Sequence, residues 1–262
     1  MIALALAALV LVQPLQQSLE KRVAGAPDGS VRFSFAAKPG VYGNGRNMIS
    51  WDCDRGNCRN RQVDNYSDAN RDDWDMPCDP GPVRVALSKR SGSITDLRVY
   101  VGGEWRPSTT ATDLGTVGAR DAATYLLSLA SHDNSRASEK AIFPAVLADS
   151  ATVWPDLLKI ARQNDVSRKV RSSAVFWLGQ AAGDAATRGL TDLVDDGTAD
   201  HEVRETAVFA LSQRPKDEGV PALIRIAREN RDPDLRRKAI FWLGQSDDPR
   251  ALSLFEELLT RP

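Results

Sequence analysis

The spacing of apolar positions changes character twice along this chain. From Ile2 to Val12 nothing polar interrupts the run, and Gln13 and Pro14 then break it. A membrane span needs about 20 such residues, so this stretch is too short to cross a bilayer. It has the length of a signal-peptide hydrophobic region, although no Lys or Arg precedes it. Small residues follow at Ala24-Gly25-Ala26, with Pro27 directly after. Residues 1–26 are therefore read as a signal peptide or apolar N-terminal segment, and the chain is expected to be periplasmic or secreted, with no integral span once that segment is processed.

Beyond it the period is two. Val31, Phe33 and Phe35 alternate with polar or small residues, and so do Val83, Val85 and Leu87. Such alternation marks half-buried strands. Ser91-Gly92 supplies a turn and Leu97, Val99 and Val101 resume the alternation, so Pro82 to Trp105 predicts a hairpin. Between these strands, residues 40–80 are rich in Gly, Asn and Asp and read as a long loop. Residues 27–106 are thus expected to form a small β-rich, Cys-containing domain, and 107–117 a linker.

From about residue 118 the period becomes helical and the chain repeats itself. Val170-Arg171-x-x-Ala174-Val175-Phe176-Trp177-Leu178-Gly179-Gln180 recurs as Val203-Arg204-x-x-Ala207-Val208-Phe209-Ala210-Leu211-Ser212-Gln213, and again as Leu235-Arg236-x-x-Ala239-Ile240-Phe241-Trp242-Leu243-Gly244-Gln245. Ala141-Ile142-Phe143 is a fainter copy, and the alanines at 141, 174, 207 and 239 lie 33, 33 and 32 residues apart. A second element around Pro155 returns around Pro221, 66 residues later. Each period predicts two helices, with prolines 155, 221 and 249 at helix starts and Asp248 as an N-cap. Neither helix of such a pair can cover its apolar faces alone, so the units must stack. Ser253, Glu256, Glu257 and Thr260 share one face of the last helix, as a terminal repeat requires.

These units, with their D-x-x-[VL]-R-x-x-A-x-x-x-L pattern, resemble HEAT repeats, particularly the short bacterial kind similar to bilin-lyase HEAT-like repeats. The resemblance covers about residues 118–260. It implies a mostly α chain, an α-solenoid of about four repeats over 118–262 following the β-rich domain. In such solenoids a loop aspartate and a following basic residue hydrogen-bond between neighbours, and Asp200 with Arg204 and Asp232 with Arg236 match that pattern. The resemblance also implies a scaffold that holds a protein or peptide partner, without catalysis and without a cofactor.

Composition narrows the chemistry. A formal net charge of −1, with acids and bases interspersed, offers no basic surplus for nucleic acid. The chain has two histidines, His132 and His201, too few for the usual triads and His-based metal sites. His201-Glu202 is similar to the pairs by which one HEAT-repeat hydroxylase family holds iron, but that site draws on several pairs. Asp68-x-Asn70-x-Asp72 has the spacing that opens a calcium loop, with Asp79 at its twelfth position; Asp73 stands where glycine is expected. This makes a calcium-binding adhesion or sensor module one alternative, beside a polar loop. A chromophore-handling or other enzymatic HEAT protein, and a DNA-contacting one, are the others.

Cys53, Cys58 and Cys78 are the three cysteines, and in an oxidising compartment one disulfide among them is expected, its pairing left open. On the repeats, Trp177 and Trp242 occupy equivalent positions and are weighed between inter-repeat packing and an exposed ridge. Lys159, Arg162, Arg225 and Arg228 recur on second helices, either as a solvated face or as a surface for an acidic partner.

Overall fold

The computed structural model describes residues 17–45, 49–50, 53–54, 57–58, 79–132, 135–181 and 183–260. The apolar run at Ile2–Val12, the calcium candidates Asp68, Asn70 and Asp72, and Cys78 lie outside the described residues.

The period-two segments become a four-stranded sheet. Strands β1 (Gly29–Phe35), β7 (Val83–Arg90), β8 (Ser93–Val101) and β9 (Ala111–Thr116) lie in the order β8-β7-β1-β9. β7 and β8 form the expected hairpin, and Ser91 and Gly92 both take positive φ (50° and 77°), as a tight type I′ connection demands. The Asp28 carboxylate accepts hydrogen bonds from both turn amides, at 2.6 Å from Ser91 and 3.0 Å from Gly92. Those bonds favour the ionised form and lower its pKa. Val31, Phe33, Phe35, Val83, Val85, Leu87, Leu97 and Val101 all point to one face and are buried. Short pairings add further strands among the described residues: β2 (Tyr42–Gly43) lies between β3 (Ile49–Ser50) and β6 (Asp79–Pro80), and β4 (Cys53–Asp54) pairs with β5 (Asn57–Cys58), setting Cys53 opposite Cys58 along the backbone.

Two expected boundaries meet ordered structure. Leu19–Gly25, inside the expected N-terminal segment, is not part of the apolar run but a folded helix, α1, started by the Ser18 side chain and buried through Leu19 and Val23. The last carbonyls of a helix lack internal partners. Here Lys89, itself buried on β7, sends its ammonium to the carbonyls of Val23 (3.0 Å), Ala24 (2.6 Å) and Ala26 (2.6 Å). The small residues at 24–26 are thus the anchored end of α1. Nor is 107–117 a plain linker: β9 runs parallel to β1 there, tied by an Arg32–Asp113 ion pair at 2.8 Å. The sequence Ala-Thr-Asp-Leu-Gly-Thr shows no alternation because this edge strand is secured by its backbone, with none of its residues buried.

The apolar face of the sheet is covered by helices α2 (Ala119–His132) and α3 (Arg136–Val146), with Phe33 meeting Tyr125 edge-on at 6.3 Å. Helices then follow in succession: α4 (Trp154–Arg162), α5 (Arg168–Gly179), α6 (Asp184–Asp195), α7 (His201–Ser212), α8 (Lys216–Glu229), α9 (Pro233–Gly244) and α10 (Pro249–Thr260). They make two rows. α3, α5, α7 and α9 stack on one another, and α2, α4, α6, α8 and α10 form the second row. The periodic alanines 141, 174, 207 and 239 are fully buried in the first row, where a methyl side chain lets helix backbones approach. One buried core runs without interruption from the sheet to α10.

Prolines 155 and 249 stand in first turns, as expected. Pro221 does not: α8 begins at Lys216, after Pro215, and takes Pro221 into its sixth position. The additional first turn is possible because residue 219 is glycine; a Cβ there would lie 2.4 Å from the Leu211 carbonyl oxygen of α7. The expected polar outer face of α10 is only partial, since Leu252 and Leu259 are exposed beside its polar residues. No helix among the described residues is long and apolar enough to cross a membrane.

Candidate functional site

The repeat places one phenylalanine two residues after each interface alanine: Phe143, Phe176, Phe209 and Phe241. In two of the four units a tryptophan follows at the third position, Trp177 and Trp242; the others have Pro144 and Ala210. Stacking the first-row helices brings these rings into one ladder. Phe143 stacks on Trp177 (5.4 Å between centroids), which meets Phe176 edge-on (5.1 Å). Phe176 stacks on Phe209 (6.4 Å), Phe209 packs at a tilt on Trp242 (5.0 Å), and Trp242 meets Phe241 edge-on (5.0 Å). These separations are those of favourable aromatic pairs. The two tryptophans are half-buried between phenylalanines, whereas Phe176 (38% exposed) and Phe241 (56%) stand out into solvent. The buried Trp242 indole N–H has no acceptor among the described residues. The ladder therefore combines inter-repeat packing with an exposed aromatic edge.

The basic residues of the second row are divided. Arg225 pairs with Asp195 of α6 (2.8 Å) and Arg228 with Glu257 of α10 (2.5 Å), so both tie neighbouring repeats. Lys159 and Arg162 are exposed on α4.

The aspartates and arginines that match the HEAT pattern pair one repeat out of step. Arg171 of α5, almost buried, reaches Asp200 at the head of α7. Arg204 donates to the Val194 carbonyl (2.9 Å) and stands 3.5 Å from Asp232 at the head of α9. Arg236 turns back to the carbonyls of Asn230 (2.7 Å) and Arg231 (3.3 Å). Asp232 also caps its helix through the amides of Asp234 and Leu235. Burial acts to raise its pKa, but those amides, with His201 and Arg204, outweigh burial and hold it below the ordinary carboxylate range.

His201, Asp232 and Asp234 are brought together across the heads of α7 and α9, with His201 Nε2 at 3.3 Å and 4.0 Å from the two carboxylates. Arg204 stands near the Asp232 carboxylate and Arg237 pairs with that of Asp234, so both acids already have cationic neighbours. Asp79, the described member of the calcium set, lies in β6 opposite Gly43.

Sequence reasoning did not single out Arg214. It is buried in the turn after α7, donating to Thr187 Oγ1 (2.8 Å) and the Gly183 carbonyl (2.9 Å), and pairing with Glu218 (2.8 Å). It thereby pins the α5–α6 turn to the α7–α8 turn. The signal was a break in register: equivalent positions in the neighbouring repeats hold Ala181 and Ser246.

No curated protein matches the chain. A family model of HEAT repeats matches it twice, over residues 154–229 and 187–262. The first match spans α4 to α8 and the second α6 to the C-terminal end, overlapping as successive units of one array should. Residues 154–262, the C-terminal segment of this chain, form HEAT repeats.

Proposed function

We propose that the protein is a non-enzymatic scaffold of the cell envelope that binds a protein or peptide partner through the aromatic ladder of its first-row helices. HEAT repeats generally mediate protein interactions, which supports the coarse reading. The observation that carries the finer one is the exposure of Phe176 and Phe241 at the edge of a ring ladder that is otherwise half-buried. Interface energy concentrates in a few aromatic anchors set in preorganised surroundings. Rings fixed by neighbouring rings lose little further freedom on binding.

Export is supported by the Ile2–Val12 run. If a signal is removed, processing falls before Ser18, because α1 contributes to the core. Under that reading the cysteines meet an oxidising compartment, and a disulfide is proposed among Cys53, Cys58 and Cys78.

The test is site-specific photo-crosslinking in the native cell, with a benzophenone side chain at position 176 or 241 and, as a control, at Arg188, exposed on α6. The proposal expects a discrete adduct from 176 and 241 that is lost when the other phenylalanine is changed to Ser, and none from 188. Equal adducts from all three positions, or none, would refute it. Cell fractionation of the same strain tests export independently, since a protein wholly in the cytosol contradicts that part alone.

A further inference from the structure

The outer face of the sheet, opposite the helices, carries the polar set of the alternation, including Arg32 on β1 and Arg84 on β7. The segment after β8 places Trp105 against this face, and the two guanidiniums lie over its ring, Arg32 at 5.2 Å and Arg84 at 4.8 Å from the centroid. Arg84 is also 5.5 Å from the Tyr100 ring, which meets Trp105 edge-on at 5.9 Å. Beside these groups opens a cavity of about 690 Å³.

The arginines differ in how their charge is met. Arg32 has its carboxylate, Asp113. Arg84 has none. It is 4% exposed, among the described residues its one hydrogen bond runs from Nη2 to the Gly45 carbonyl (2.8 Å), and its Nε has no acceptor. Gly45 and Arg84 both line the cavity. Buried charges are normally paired, and an unpaired one is costly to keep. Burial accordingly pushes the Arg84 pKa down, with Tyr100 acting weakly the other way. Glycines press close on the same side: a Cβ on Gly45 would come within 2.9 Å of the Gly103 backbone and 3.3 Å of Arg84 Nη2. The guanidinium is thus held by rings and backbone, and no carboxylate among the described residues pairs with it, Glu104 of the same cavity wall included.

We propose that this cavity is a binding site for a small organic anion, whose carboxylate or phosphate head pairs with Arg84 and whose planar body lies along Trp105 and Tyr100. Arginine suits such a head because its planar fork can donate two parallel hydrogen bonds to one oxyanion. The rings that steady the guanidinium offer stacking surface, and the volume falls within the range of small-molecule pockets. This site is separate from the helical ladder and independent of the scaffold reading.

The experiment follows the Trp105 indole N–H of the full chain by NMR, assigned with Trp105→Phe, during titration with benzoate and with phenyl phosphate at constant ionic strength. Sodium chloride and benzyl alcohol are the blanks. The proposal expects a saturable shift with at least one of the two anions, and which one saturates identifies the head group. Saturation should vanish in Arg84→Gln and persist in Arg98→Gln, which removes the same charge from an exposed position on the same sheet. Without ligand, Arg84→Gln should melt no lower than the parent, since it relieves an uncompensated charge. If it does not fold, Arg84→Lys replaces it, and binding should weaken about tenfold or more for want of the fork. No saturable shift with either anion, an equal shift in Arg84→Gln, or an equal loss in Arg98→Gln would overturn the assignment.

Discussion

At the scale of single residues, close backbone approach and local hydrogen bonding settle the outcome. Gly219 sits where a Cβ would be 2.4 Å from a backbone carbonyl that cannot swing away. Gly219→Ala should therefore destabilise the chain by about 1–3 kcal/mol through overpacking, although alanine favours helix; a melting curve at or above that of the parent would contradict the α7–α8 packing. Asp248 is a second case. Its carboxylate accepts from the Arg250 guanidinium (2.8 Å) and the Arg250 amide (2.9 Å), which bring its pKa down to about 2. A carboxylate whose pKa is lowered by folding stabilises above its unfolded value of about 3.9 and loses that contribution as pH falls towards the folded value. Asp248→Asn should thus melt below the parent at neutral pH, and the two curves should converge as pH falls from about 4 to about 2. A gap that stays constant over this window would count against the pairing.

Between elements, ion pairs and ring contacts link each repeat to the next. The Arg171–Asp200 pair is lopsided: the arginine side chain is 9% exposed and the aspartate 49%. Removing the half-exposed partner leaves a nearly buried charge, whereas removing the arginine leaves an acid that water can reach. Asp200→Ala should then cost about 1–3 kcal/mol, and Arg171→Met less than that or nothing, because it also removes a buried Nε with no acceptor among the described residues. Urea melts of both variants check the order, and the reverse order would contradict the assigned linkage. The ladder yields a different expectation. Phe176→Ser with Phe241→Ser should leave the helical signal intact, since both rings are exposed. Cooperative unfolding lost in that double variant would make the exposed edge part of the core.

Across the whole molecule, the legible parts are those whose burial repeats. Ala141, Ala174, Ala207 and Ala239 announced the first row because each meets the same surroundings, and Val31, Phe33 and Phe35 announced β1 for the same reason. What stayed hidden depends on single contacts. β9 has no alternation because nothing in it is buried, and α1 followed an apolar run that drew it into a presumed signal. Arg84 stands between Val83 and Val85 in the alternation, which says nothing of Trp105 and Tyr100, the distant rings that pack against its guanidinium. The ring ladder was half visible: phenylalanine at every alanine-plus-two position was in the sequence, but which rings remain exposed depends on helix rotation.

All of this assumes that the helices form an array in which each unit is held by its immediate neighbours. Native-state hydrogen exchange of Ala207→Trp tests that assumption most directly, because Ala207 is fully buried in the middle of the first row. Overpacking there should lower amide protection in α5, α7 and α9, which stack at this point, and leave the β1–β7–β8 sheet near parental protection. Uniform loss across sheet and helices, or no loss in α5, α7 and α9, would contradict the array.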